Sequence, residues 1–174
     1  MDEKLKLLYS RRSIRAYTDA AVADEVILEI IKAGMAAPTA RNQKPWHVTV
    51  IKDAQVRTTL GESSGAWRCC AQAPVVLLVS GDQNRFIGGE HVAMQDFWMQ
   101  DCAAITQNIL LAATAFDLGS LWMGVYPNHA RVKSTRELLE LPEHLVPFAL
   151  IAIGHKGEEK EARSQYEEEQ VIWK

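Results

Sequence analysis

The sequence predicts one domain in which a sheet is covered by helices, an α+β or mixed α/β arrangement, and three observations carry that expectation. Residues 90–116 read as one long helix whose second half, from Cys102 to Ala113, is apolar nearly all round, as a helix at the centre of a core must be. Residues 73–79 are apolar without alternation, which suits a strand buried on both faces. The segments then follow in the order helix, helix, strand, strand, long helix, strand, helix, strand. A chain of 174 residues, 48% hydrophobic and 24% charged, makes one compact unit with a sizeable core and is not the composition of a disordered protein.

Each element has its own local reason. Leu5, Leu8 and Tyr9 recur at helical spacing in residues 2–10, so a short amphipathic helix is expected to end at Arg11-Arg12-Ser13. Asp24 opens a second helix with Val26, Ile27, Ile30 and Ile31 along one face, and Pro38 marks its end and the start of a loop to Lys44. Residues 47–51 are rich in β-branched side chains between Pro45 and Asp53 and read as a strand. In the second strand, Pro74 fits an opening position. Gly119 is expected to stop the long helix after Asp117 and Leu118. Residues 121–126 and 148–153 read as the last two strands, and residues 131–139 as a helix ended by Pro142. A polar tail, 157–174, closes on Val171-Ile172-Trp173, an apolar triplet that needs a place to bury on its own domain or on a partner.

Composition narrows the function. A net charge of −3 argues against an electrostatic nucleic-acid binder. The three cysteines, Cys69, Cys70 and Cys102, form no zinc-like or disulfide pattern. No apolar run approaches the roughly 20 residues of a membrane span, and a reducing cytoplasm is the expected address. The phosphate loop, the Rossmann fingerprint and the zinc HExxH are all absent, and the five histidines show no ligand-like spacing.

Charge is nevertheless unevenly placed. Lys4, Lys6, Arg11, Arg12 and Arg15 crowd the first fifteen residues, while Glu158, Glu159, Glu161, Glu167, Glu168 and Glu169 make the other end acidic, with Lys160 and Arg163 among them. Three guanidinium groups and the Ser13 hydroxyl at a helix end suit a phosphate or, equally from charge alone, a solvated basic surface, and Lys160 and Arg163 would close the same anion site if the chain ends meet. Taken alone, the loop Pro38-Thr39-Ala40-Arg41-Asn42-Gln43-Lys44-Pro45-Trp46 reads first as an ordinary connector; its short side chains would also let backbone approach a flat ligand, with Asn42 offering both donor and acceptor.

Three ordered motifs, Arg11-Arg12-Ser13-Ile14-Arg15-Ala16-Tyr17, the loop from Ala37-Pro38-Thr39-Ala40 through Asn42 to Pro45-Trp46, and Gly119-Ser120-Leu121-Trp122-Met123-Gly124, together resemble the FMN-dependent nitroreductase family over essentially the whole chain. Gly154-His155 with Lys160 and Arg163 resembles its closing motif. The resemblance implies an α+β homodimer with a mixed, mostly antiparallel central sheet, a long buried central helix and FMN in the subunit interface. It implies that Arg11, Arg12, Ser13, Lys160 and Arg163 hold the FMN phosphate and ribityl chain, and that Arg15 reaches the pyrimidine side. Pro38, Thr39, Ala40 and Asn42 would come from the other subunit, Met123 and Gly124 would pass the ring edge, and Arg68 would stand over the flavin. The implied activity is NAD(P)H-dependent reduction of nitroaromatics, quinones or similar electron-poor acceptors by ping-pong hydride transfer at flavin N5, with no catalytic side chain and no metal. Ene reduction, dehalogenation, flavin fragmentation and a non-catalytic FMN-binding module remain as alternatives. Lys44 stands where the family usually has Gln, and a long helical insertion of larger members is missing, which implies a more open channel.

Overall fold

The computed structural model describes residues 2–85 and 97–174. Helix α1 covers only Lys6–Ser10, preceded by a 3-10 turn at Glu3–Leu5 that Asp2 caps by accepting from the Lys4 N–H. Helix α2, Asp24–Met35, is as the spacing predicts, with Ile27 and Ile30 buried. A 3-10 turn at Ala40–Asn42 leads into strand β1, Trp46–Ile51. Helix α3, Ala54–Ser63, follows, capped by Asp53, and then a 3-10 turn at Gly65–Trp67, helix α4 at Cys69–Gln72 and strand β2 at Val75–Asp82. Helix α5 is Phe97–Ala115, strand β3 Leu118–Gly124, helix α6 His129–Leu138 and strand β4 Leu145–His155.

The four strands form one sheet in the order β1-β2-β4-β3. All three ladders are antiparallel, with Val48 opposite Val79, Leu77 opposite Ile151 and Leu121 opposite Ala152. The expected parallel component is a single bridge, Ser13 to Ser120, at the free edge of β3. Every residue of β2 is buried, which is why its sequence does not alternate. Helix α5 touches all four strands, and α2 packs on it so tightly that a Cβ on Gly34 would lie 2.5 Å from Ile109 Cγ1. The nine buried residues of α5 all fall on one half of its circumference, and the other half, with Gln100 and Gln107, is half-buried or exposed, so the helix is less enclosed than its nearly all-round apolar second half predicts.

Several boundaries differ from expectation. Gly119 is not the stop of α5. The helix ends at Ala115, Asp117 takes the left-handed conformation (φ 57°), and Gly119 lies inside β3, where a Cβ would stand 2.7 Å from Ile14 Cγ2. Strand β3 thus begins three residues before the expected Leu121, and β4 runs past both ends of 148–153 because its backbone is paired over its whole length. Pro74 immediately precedes β2 rather than opening it. The expected start of the long helix at Glu90 falls outside the described residues. Helices α3 and α4 had no expectation behind them, since α3 buries only Leu60 and Gly61 and shows no clear apolar stripe.

Candidate functional site

The two ends of the chain meet at the free edge of β3. Ile14 N–H donates to the Ser120 carbonyl (3.0 Å), and Gly157 N–H donates to Ala16 O (2.8 Å). A Cβ on Gly157 would lie 3.1 Å from the backbone of Ala16 and Tyr17, so the approach of these two segments needs glycine. Arg163 N–H donates to Tyr9 O (3.2 Å), which ties the tail to α1.

Around this junction the cations divide into committed and uncommitted. Lys160 Nζ donates to Ser13 O (2.7 Å) and to Glu158 Oε1 (3.0 Å), and Arg12 Nη1 donates to the Glu161 carbonyl. Glu158 also accepts from the Arg15 backbone N–H (2.6 Å), so its carboxyl is held below the usual range by that bond first and by Lys160 second. With its folded pKa depressed, this clasp holds above the ordinary carboxylate range and opens as pH falls through the lower value. Exchange of the Arg15 amide against pH reads it.

Arg11 is different. Half-buried, it has its pKa lowered by desolvation and then by the nearby Arg163 and Arg12 guanidiniums, and among the described residues no carboxylate pairs with Arg11 or Arg163. Like charges drawn together from opposite ends of a chain repel one another, a cost that water or a nearby anion lowers. A small pocket beside them is lined by Ser10, Arg12, Ile14, Thr114, Leu118, Lys156, Glu159 and Lys160, so three cations and one carboxylate face it.

A second group lies at the far end of β3. Met123 is buried, its Sδ 3.4 Å from Cys69 Sγ and 3.8 Å from Cys70 Sγ. Burial raises both thiols, Cys70 to about 12, whereas nearby Arg15 partly offsets the rise at Cys69. Arg15 is therefore electrostatically close to the Met123 end of the strand. Gly124 is exposed, and a Cβ there would meet nothing nearer than Tyr126 O at 4.0 Å, so its face is open to a ligand. Arg68 is exposed between Trp67 and Cys69.

The loop with Pro38, Thr39, Ala40 and Asn42 is not part of either group. It lies before β1, at the opposite edge of the sheet, against the start of α5. Pro38, Thr39 and Ala40 line a cleft of about 340 Å³ with Phe97, Gln100, Asp101 and Ala104. Arg41, Asn42 and Lys44 all have positive φ (51°, 56° and 51°), a strained backbone for three non-glycine residues. The buried Asp101 steadies it, its Oδ1 accepting from Ala40 N–H (3.0 Å), and Lys44 N–H donates to Thr39 Oγ1 (3.2 Å). Burial raises the Asp101 carboxyl, partly offset by the Ala40 bond. Asp101→Leu leaves that N–H unpaired and is expected to lose about 1–3 kcal/mol, while Asp101→Asn keeps the acceptor, sheds the buried charge and melts no lower than the parent. Thermal melts of both variants check this.

Sequence reasoning missed Glu158, whose role was masked by a run of surface glutamates, and Arg131. Arg131 Nη1 donates to Gly124 O and Nη2 to Ser64 Oγ, both at 3.2 Å, with its guanidinium 5.2 Å from the Trp67 ring centre. No local motif marks it, because its partners come from two other segments, the Ser64–Trp67 turn and the end of β3.

Comparison with known proteins bears on this geometry. The model of the Nitroreductase family matches residues 8–67 and 63–155. A protein of Archaeoglobus fulgidus that carries the name NADH dehydrogenase/NAD(P)H nitroreductase is 40% identical over 161 residues, covering 92% of this chain and 90% of its own. A crystal structure from Parabacteroides distasonis under the same name superposes with a TM-score of 0.90 at 31% identity, over 99% of this chain and 98% of that one. A nitroreductase from Desulfovibrio desulfuricans, solved in complex with FMN, superposes at 0.82 with 29% identity, over 100% and 98%. With its four-stranded sheet, its buried central helix and a family match spanning well over half its length, the chain belongs to the nitroreductase family.

Proposed function

We propose that this chain is an FMN-dependent NAD(P)H oxidoreductase that reduces nitroaromatics, quinones or similar electron-poor acceptors, working as a homodimer. The observation that carries the reading is the uncommitted Arg11–Arg163 pair, a phosphate-sized demand for negative charge at one end of β3, with the open Gly124 face at the other. Seven residues of strand separate the two ends by about 20 Å, room for an elongated mononucleotide along the strand edge.

The donor set fits FMN. Arg11 and Arg163 would take the phosphate, with Arg12, Ser13 and Lys160 forming the wall behind it. Arg15 would face the pyrimidine side, with Met123 and Gly124 at the ring edge and Arg68 nearby. Bound there, FMN supplies hydride acceptance from NAD(P)H at N5 and its delivery to the acceptor, both reactants using one site in turn. Arg15 holds positive charge where a reduced ring carries negative charge. The Gly124 backbone permits close approach, and the Glu158–Lys160 clasp keeps Ser13 and Arg15 in register.

Distance supports the homodimer. β1 and β3 are opposite sheet edges, about 14 Å apart at the usual strand spacing, and Thr114, beside the cation cluster, is thirteen residues or about 20 Å along α5 from Asp101. One copy thus presents two separate half-sites, and the Pro38–Asn42 loop of a second copy completes the first copy's flavin site. Exposed Leu5, Leu8, Met35, Phe97 and Phe116 give that second copy apolar surface to cover. The tail needs it too, since Ile172 and Trp173 are 79% and 90% exposed on their own domain.

A visible spectrum of the purified protein tests the reading. A yellow protein bleached by anaerobic NADH or NADPH, and reoxidised by a nitroaromatic or quinone, is expected. A colourless protein that neither takes up FMN nor oxidises NAD(P)H with such acceptors overturns it. Arg15→Ala is expected to retain flavin while its potential drops by about 30–60 mV, the two-electron equivalent of about 1.5–3 kcal/mol, and an unchanged potential removes Arg15 from the ring.

A further inference from the structure

We propose that Arg131 is a specificity-determining residue that recognises an anionic group on the reactant docked at the Gly124 edge, so that carboxylated aromatic acceptors are preferred over neutral ones. The inference rests on the reading that Met123 and Gly124 border the flavin ring. Arg131 stands in the first turn of α6, half-buried, and holds the last carbonyl of β3, that of Gly124, at 3.2 Å. Its second contact, Ser64 Oγ, is also neutral, and the Trp67 ring lies under the guanidinium at 5.2 Å. Trp67 is itself 1% exposed, so the platform is fixed by the core.

Two features turn this from a clamp into a recognition element. Among the described residues no carboxylate pairs with Arg131, so its charge is fully uncompensated while its orientation is set by three contacts. A guanidinium carries five N–H donors, and only two are used here. The remaining donors and the whole charge are available to a carboxylate, or to a phosphate of the dinucleotide donor, which shares that chemistry. Lysine could not do this equally, because an ammonium lacks the planar fork that the Trp67 face and the two oxygens hold in place. The open space over Gly124 lies directly beside the group, so an anion bound by Arg131 places the rest of a small aromatic molecule over the strand edge.

The test uses the oxidised, FMN-loaded protein and benzoate against benzamide, an isosteric pair that differs in charge. Calorimetric titration is expected to show benzoate binding at least tenfold more tightly than benzamide. In Arg131→Met the preference is expected to collapse to within twofold, measured on FMN-saturated protein well below the variant's own melting temperature, which falls because the Gly124 carbonyl and Ser64 hydroxyl lose their donor. Arg131→Lys should restore part of it. A parallel measurement of KM for NADH against neutral 1-methyl-1,4-dihydronicotinamide separates the two sources: a rise confined to NADH in Arg131→Met assigns the anion to the donor, and a loss confined to benzoate assigns it to the acceptor. A benzoate-to-benzamide ratio and a donor ratio both unchanged in Arg131→Met overturn the proposal, as does an equal weakening of charged and neutral ligands, the mark of a purely structural clamp. A wild-type protein that takes up no FMN instead removes the functional reading beneath it, and this inference with it.

Discussion

Arg11→Ala and Arg163→Ala are each expected to lose FMN by about 10- to 150-fold in affinity, the equivalent of a charge-assisted hydrogen bond of about 1.5–3 kcal/mol. The effect on the flavin-free protein should have the opposite sign or none. Arg11 and Arg163 repel each other across the chain junction, with no carboxylate paired to either among the described residues, so removing either relieves a cost that water screens only in part and a bound anion would offset. A fluorescence titration with FMN, set beside thermal melts of the apo variants, reads both effects. Loss of FMN with an unchanged or higher apo melting temperature is the expected pair. Full FMN affinity in both variants would move the phosphate elsewhere. Raised salt should weaken binding in the parent more than in either variant, since part of the attraction is screened.

Gly119→Ala is expected to lower stability by about 1–3 kcal/mol and the melting temperature by roughly 2–12 °C. The added methyl would stand 2.7 Å from Ile14 Cγ2 and 2.9 Å from Ile14 Cβ. A rotamer change moves Cγ2 but not Cβ, so the backbone of Ile14 must give way. Ile14 is 3% exposed and bound through its N–H to Ser120, which leaves it little freedom. Its neighbours are Ser13 and Arg15, so FMN affinity should fall together with stability. A melting curve and an FMN titration on the same sample check the coupling. An unshifted melt would show that the segment slides freely along the β3 edge.

Much of the site was legible because its chemistry is carried by residue type. Arginines gathered at a helix end with no acid among them ask for an anion whatever the fold. The loop from Pro38 to Trp46 reads by itself as a connector and stands out only beside the other motifs, and three left-handed residues in it explain why regular structure does not form there. Gly119 was visible as a special position, but its reason was wrong. A glycine after a helix and a glycine under a crossing strand look alike in one dimension, and the contact with Ile14 spans more than a hundred residues. Asp53 bounded a strand in the sequence, and only the fold reveals that it also caps α3 through Val56 N–H. That helix escaped notice because its sides are nearly equally polar, leaving no period to detect.

The sequence by itself determined the elements whose cause is local: the apolar central helix, the unalternating β2, and the charge carried at each end of the chain. Tertiary structure decided which charges are spent and which are free. Lys160 is spent on Glu158, while among the described residues Arg11, Arg12, Arg131 and Arg163 meet no carboxylate, Arg12 and Arg131 being oriented by backbone carbonyls. The physical reason is that a charge's worth depends on its neighbours and its access to water, and both are fixed only when distant segments pack.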